Sequence, residues 1–187
     1  MATDTRERMI DTAIGLLAGR GYQATSFAEV LSASGAPRGS IYHHFPGGKD
    51  ELVAAALARQ ADRMVRRLAT LDGGTPAEIV AGFLAMWRKN LVATDFAVGC
   101  PLLAVTVSAT GGGLNDEAGA LFRQWRVGLA TLFSNAGVPQ TDAAAFAAEL
   151  RAAAEGVVVI ARAERSLEAF DLVAERLRTQ AQTLAAA

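Results

Sequence analysis

A chain of 187 residues that is 51% hydrophobic and 20% charged has the material for a large apolar core, which excludes a disordered polymer. Its single cysteine, Cys100, excludes an intrachain disulfide and a cysteine-based zinc site. No apolar run approaches the roughly 18 residues of a membrane span, and the opening MATDTRERM lacks the apolar stretch of a signal peptide; the expectation is a cytoplasmic protein with no membrane contact.

The net charge of −1 hides a weak asymmetry. The first 70 residues hold nine basic against seven acidic side chains, and the rest nine against twelve. Affinity for DNA depends on cations set beside phosphates more than on total charge, so a weakly positive first part is compatible with that partner.

In chain order, the spacing of Met9, Ile10, Ala13, Leu16 and Leu17 predicts a helix over Thr5 to Gly19, stopped by Arg20-Gly21. Ser26 and Glu29 form a capping box that starts a second helix, apolar at Phe27, Val30 and Leu31, with Gly35 as its left-handed stop. A turn of about three residues follows. Pro37 then opens a third helix, Arg38 to Phe45, because its missing N–H is harmless at that position. Two helices joined so tightly cross steeply, as in a helix-turn-helix.

At about 100° per residue, Ile41 and Phe45 share one side of the third helix and suit a core with the first helix, completed by Tyr22 and Phe27. Gly39, Ser40, Tyr42 and His43 share the other side, flanked by Arg38 and His44. A phenol, imidazoles, a hydroxyl and a cation supply donors for phosphates and base edges. Lys49, at the start of the next helix, would add its charge to free backbone N–H groups on one phosphate.

Asp50 to Leu71 is a long helix, with Arg59, Arg63, Arg66 and Arg67 read as a solvated face in preference to a second DNA site. Asp72-Gly73-Gly74-Thr75-Pro76 breaks the chain, and Thr75-Pro76-Ala77-Glu78 starts a new helix running to about Asp95. Further helices are expected over Cys100 to Thr110, Asn115 to Asn135 and Thr141 to Ala163, parted by Gly111-Gly112-Gly113 and Gly137-Val138-Pro139. Ser166 caps a last one, Leu167 to about Leu184. The divisions expected are residues 1–48, a connecting helix over 49–72, and 73–187.

Two seams mark the last part. Phe146, Leu150, Ala153, Val157 and Ile160 step by four and three, as do Phe170, Val173, Leu177, Ala181 and Leu184; such stripes serve helix packing, within the chain or between copies. The large rings Phe83, Trp87, Phe96, Phe122, Trp125 and Phe133 stand among alanines, either as plain core or as the lining of a pocket.

At Thr25 to Gly35 (T-S-x-x-x-x-L-x-x-x-G), Arg38 to Phe45 (R-G-S-x-Y-H-H-F) and Lys49 to Leu52 (K-D-E-L), the chain resembles the TetR family of transcriptional regulators. Its A-P-R-G-S and H-H-F-P-G-G-K-D-E-L details, with Gly99-Cys100-Pro101-Leu102, resemble the LmrA/YxaF-type branch. Many members carry a Ser or Thr cap where this chain has Pro37.

The resemblance implies an all-α fold of about nine helices, with a three-helix DNA-binding head and a C-terminal ligand-binding and dimerisation domain. It implies DNA contacts from Thr25, Ser26, Arg38, Gly39, Ser40, Tyr42, His43, His44 and Lys49. A ligand pocket is implied at Phe83, Trp87, Phe96, Cys100, Leu103, Phe122, Trp125 and Arg126, where the ring content suits a planar, largely apolar molecule. A homodimer is implied through Phe146, Leu150, Ala153, Gly156, Val157, Ile160, Phe170, Val173 and Leu177.

The partners expected are a palindromic double-stranded DNA operator, a small-molecule effector that releases it, and a second copy, with no cofactor and no metal. The alternative is a redox-sensing regulator using the Cys100 thiol. An enzyme is not expected. The only histidines, His43 and His44, are adjacent and so point about 100° apart on a helix, and no nucleophile set stands beside them.

Overall fold

The computed structural model describes residues 2–108 and 112–184, and every regular element among them is helical. In order these are α1 (Ala2–Ala24), α2 (Phe27–Ser34), α3 (Ser40–His44), α4 (Lys49–Ala69), α5 (Pro76–Ala93), α6 (Pro101–Ser108), α7 (Gly112–Asn135), α8 (Gln140–Glu164) and α9 (Glu168–Leu184). The all-α class is therefore the fold. Thr110 and Gly111, near the end expected for the sixth helix, lie outside the described residues. No helix among the described residues is long and apolar enough to cross a membrane.

The helices gather into two compact units, Met1–Arg63 with Cys100–Phe122, and Met64–Gly99 with Arg123–Ala187. In the first, α1 buries Met9, Ile10, Ala13, Leu17 and Ala18 and packs against α2 and α6. Ile41, Phe45, Leu52, Val53, Ala56 and Leu57 are buried too. α1 leaves helical geometry at Gly21 (φ 81°, ψ 177°), where the sequence stop falls.

Three expectations change in this unit. Tyr22 and Phe27 are half-buried at its rim and do not complete its core. Arg59 and Arg63 are not a solvated face: Arg59 pairs with Glu7 and Asp11, and Arg63 reaches Asp11 at 2.5 Å, stapling α4 to α1. The glycine breaks mark helix ends and not the division into units, because α6 buries Leu102 and Val105 in the unit that holds α1.

In the second unit α5, α8 and α9 pack on one another. Thr75 and Glu78 form the full reciprocal cap at the start of α5; the backbone N–H and hydroxyl of Thr75 hold the Glu78 carboxyl below its ordinary pKa. Arg88 grips Asp171 with two bonds of 2.9 and 3.2 Å, tying α5 to α9. After α5 the chain turns through Asp95 (φ 48°) and Phe96 (φ 62°). Arg162 donates to the carbonyls of Phe96 and Ala97 at 3.3 and 3.0 Å, and Arg165 donates to the Asp95 carboxylate at 2.5 Å.

Candidate nucleic-acid interface

The presentation of α3 starts with how α2 is held. The Ser26 hydroxyl accepts from the Glu29 N–H at 3.2 Å, but the Glu29 carboxylate turns to Arg20 at 3.1 Å and not back to Ser26; only half of the expected capping box forms. Gly35 ends α2 in the left-handed region (φ 66°), its N–H donating to the Leu31 carbonyl. A side chain there would be strained, so glycine permits the sharp exit that the motif needs.

The turn is longer than the sequence suggests. Pro37-Arg38-Gly39 stay outside the helix, the N–H and hydroxyl of Ser40 both donate to the Pro37 carbonyl at 3.0 and 2.6 Å, and α3 begins only at Ser40. Gly39 provides no side-chain cap. Five residues is a short helix, and such a segment persists by its tertiary anchors rather than its own ladder. Ile41 and Phe45 are those anchors, both at 0% exposure.

With that side fixed, the opposite side faces out. Tyr42 is 68% exposed, and Arg38, Gly39 and His43 are exposed as well, while Ser40 and His44 are half-buried. The Tyr42 ring is steadied edge-on by Phe27 at 5.5 Å, leaving its hydroxyl outward. His43 and His44 rings stand 5.4 Å apart. Beside them a groove of about 510 Å³ runs between α2 and α3, lined by Phe27, Leu31, Ala36, Arg38 and Tyr42.

Two residues expected here are turned elsewhere. Thr25 is 1% exposed, and its hydroxyl donates to the Gly21 carbonyl at 2.9 Å. Lys49 does open α4, but its Nζ donates to the Tyr22 carbonyl at 2.6 Å and lies 3.8 Å from the Tyr22 ring centre. Partial burial lowers its pKa, with Asp50 opposing. That charge is satisfied within the head, and Glu51 already accepts from the Gly47 N–H at 2.7 Å, so the phosphate site expected at this helix start is largely occupied by the protein itself. The Tyr22 hydroxyl donates to Asp50 at 2.5 Å, which pushes its pKa up to about 12.

The residues expected to line a pocket fall in both units. Phe83, Trp87, Phe96, Trp125 and Arg126 belong to the second, and Cys100, Leu103 and Phe122 to the first. Phe83, Trp87 and Trp125 are buried, whereas Arg126 borders a separate groove with Val127, Thr131 and Gln140. Cys100 is buried at 4% exposure, without the access that an oxidisable thiol needs. Sequence reasoning missed Arg151, buried on α8 beside the Phe83 and Trp125 rings, and its half-buried partner Glu155. Their i, i+4 spacing in a run of alanines was the available signal.

The seam expected between copies is mostly internal. Phe146, Leu150, Val157, Phe170 and Leu177 are at most 3% exposed within their own chain, so they have no surface left for a second copy. Ala153 and Val173 are half-buried; Gly156 and Ile160 are exposed, next to Val159 at 48% and with Leu172 of α9 at 68%. The stripe belongs to the subunit core, and the open apolar side of α8 lies next to it.

Two family models match the chain. One, described as bacterial regulatory proteins of the tetR family, covers residues 9–56; the other, described as the transcriptional regulator LmrA/YxaF-like C-terminal domain, covers residues 76–176. An uncharacterized HTH-type transcriptional regulator of Mycobacterium tuberculosis (strain ATCC 25618 / H37Rv) is 36% identical over 182 residues, 92% of this chain and 92% of that protein. The HTH-type transcriptional regulator LmrA of Bacillus subtilis (strain 168) is 31% identical over 126 residues, 65% of this chain and 67% of that one. A solved TetR transcriptional regulator from Chloroflexus aurantiacus J-10-FL matches with a TM-score of 0.78 and 28% identity, over 95% of this chain and 94% of that one. The regulatory protein TetR from Rhodobacter sphaeroides matches with a TM-score of 0.83 over 92% and 96%; its 22% identity is a likeness of fold alone.

Proposed function

Since this chain belongs to the TetR family of bacterial transcriptional regulators, we propose that it is a ligand-responsive repressor. It holds a palindromic operator as a homodimer in the cytoplasm and releases it when a small aromatic or otherwise apolar effector binds the C-terminal part. The observation that carries the DNA contact is the two-sidedness of α3. Ile41 and Phe45 are fully buried while Tyr42 and His43 stand exposed on the other side, with Arg38 exposed in the turn that leads into the helix. Exposed donors on a helix anchored by its back are suited to a major groove, where base edges present acceptors. Ser26 and Ser40, with their hydroxyls bonded locally, and His44, half-buried, flank that surface.

A single five-residue helix reads few base pairs. Two held about 34 Å apart on one side of a duplex read a palindrome, so specific binding requires the dimer. Its interface is assigned to the exposed side of α8, which carries Gly156, Val159 and Ile160. The effector acts by preferring the dimer whose heads stand at the wrong separation, and that preference limits the loss of DNA affinity.

The test begins by selecting duplexes from a random-sequence pool with the wild-type protein and titrating the selected operator against His43→Ala. A weakened grip of about fivefold to about 150-fold, with relaxed preference at the base pairs facing His43, is expected from the loss of one base-directed contact of about 1–3 kcal/mol. Unchanged affinity and preference would remove α3 from the DNA contact.

A further inference from the structure

A charge pair sits among the rings of the second unit, and binding to DNA makes no use of it. Arg151 is 5% exposed, and its Nη2 donates to Glu155 Oε1 at 2.7 Å. The guanidinium carbon stands 4.9 Å from the Trp125 ring centre and 5.9 Å from that of Phe83. Taking a carboxylate and a guanidinium out of water consumes most of what their attraction returns, and apolar residues of similar size would pack there as well. Stability alone is a poor reason for the pair.

A second, independent feature lies nearby. Trp87 is 6% exposed, yet its indole N–H has no acceptor among the described residues. Buried indole N–H groups ordinarily find one. Trp87 is one turn beyond Phe83 on the same side of α5, just as Glu155 is one turn beyond Arg151 on α8. The two helices run the same way, since Arg151 stands beside Phe83 while Arg162 reaches the carbonyls of Phe96 and Ala97 past the end of α5. Trp87 and Glu155 therefore each lie one turn further along the sides of α5 and α8 that carry Phe83 and Arg151, the sides on which the guanidinium meets the Phe83 ring.

We propose that Trp87, Arg151 and Glu155 are the polar end of the effector site, and that the effector is an uncharged, planar, apolar molecule carrying a carbonyl-type oxygen. The indole can only donate, so the ligand atom that meets it must accept. Arg151 is already neutralised by Glu155; an anionic ligand would displace that carboxylate and leave it buried without its partner, and a cationic one would face the guanidinium. This inference rests on the reading that the chain responds to a small molecule.

The test uses three probes with one body and different heads: 2-acetylnaphthalene, 2-ethylnaphthalene and 2-naphthoate, measured by equilibrium dialysis against the full-length protein. The ketone is expected to bind about tenfold more tightly than the other two, an ordinary return for one buried hydrogen bond. Trp87→Phe should remove that advantage, the ketone then binding no more tightly than 2-ethylnaphthalene to the same variant. A naphthoate that binds as tightly as the ketone, an advantage that survives Trp87→Phe, or no binding by any of the three overturns the proposal.

The double variant Arg151→Met with Glu155→Leu separates a ligand role from a structural one. An unchanged or raised unfolding midpoint together with a changed ratio of ketone to naphthoate affinity supports the site, and a lowered midpoint with that ratio intact rejects it. Operator release is scored separately. A ketone that binds through Trp87 without releasing DNA sinks the repressor mechanism and leaves the site standing, whereas absent binding with normal operator affinity sinks the site alone.

Discussion

Tyr22 shows how one side chain orders the head without touching its core. Its hydroxyl donates to Asp50, its carbonyl accepts from Lys49, and its ring lies under the Lys49 ammonium, so three groups join the end of α1 to the start of α4. The raised pKa makes a signed prediction. Ionising Tyr22 would break the bond and set a phenolate beside a carboxylate, so the stabilisation is complete below the ordinary tyrosine value of about 10 and is lost as pH rises towards about 12. The cluster is largely exposed, and its worth is therefore under about 1 kcal/mol. Unfolding midpoints of wild type and Tyr22→Phe should differ at pH 8 and converge by pH 12; a gap that is constant across this range would mean that the bond contributes nothing. None of this is visible in the sequence. Spacing puts Lys49 at a helix start, but only the rotamer shows that its charge is answered by Tyr22 and not left for a phosphate.

At the level of the helices, much was legible because ends are set by local chemistry. Gly35, Thr75-Pro76, Ser166 and the Gly137 break all stand where the chain stops or starts a helix. What was not legible depended on distant partners. The start of α3 at Ser40 instead of Arg38 follows from a turn closed on the Pro37 carbonyl, and the place of α6 follows from what its apolar side meets. The α5–α6 loop was equally hidden, although it explains Gly99. A Cβ at this position would lie 2.7 Å from Nη1 of Arg162, the side chain that binds the Phe96 and Ala97 carbonyls. Gly99→Ala should therefore push Arg162 off the loop and lower stability by about 1–3 kcal/mol, the penalty for carbonyls that lose a charged donor. Arg162→Ala should cost a similar amount. If the loop is the shared cause, the double variant loses little more than either single one in a denaturant titration; full additivity would mean that the two act separately.

For the whole molecule, the proposed pairing face carries a residue that its own chain does not explain. Gly156 is exposed within α8, and a Cβ built there meets nothing within 4 Å. Glycine in a helix interior costs about 1 kcal/mol relative to alanine, so in a lone subunit Gly156→Ala should simply raise stability. Ala145, Ala148, Ala152, Gly156, Val159, Ile160 and Ala163 recur at intervals of three and four on the same exposed side, a run of small and apolar residues that lets a second helix approach closely. The expected outcome for Gly156→Ala is therefore divided: a helix that is intrinsically more stable, but a dimer that is no tighter, or is weaker. Ile160→Glu is the sharper probe, because it places an unpaired charge in the interface at about 3 kcal/mol or more, a rise of at least about a hundredfold in the dimer dissociation constant. Sedimentation velocity across a concentration series reads that constant directly. On the proposed mechanism operator affinity should fall with it, since two heads read successive major grooves only when joined. A variant that stays dimeric would move the interface to another face, and one that becomes monomeric yet binds the operator as before would break the link between pairing and recognition.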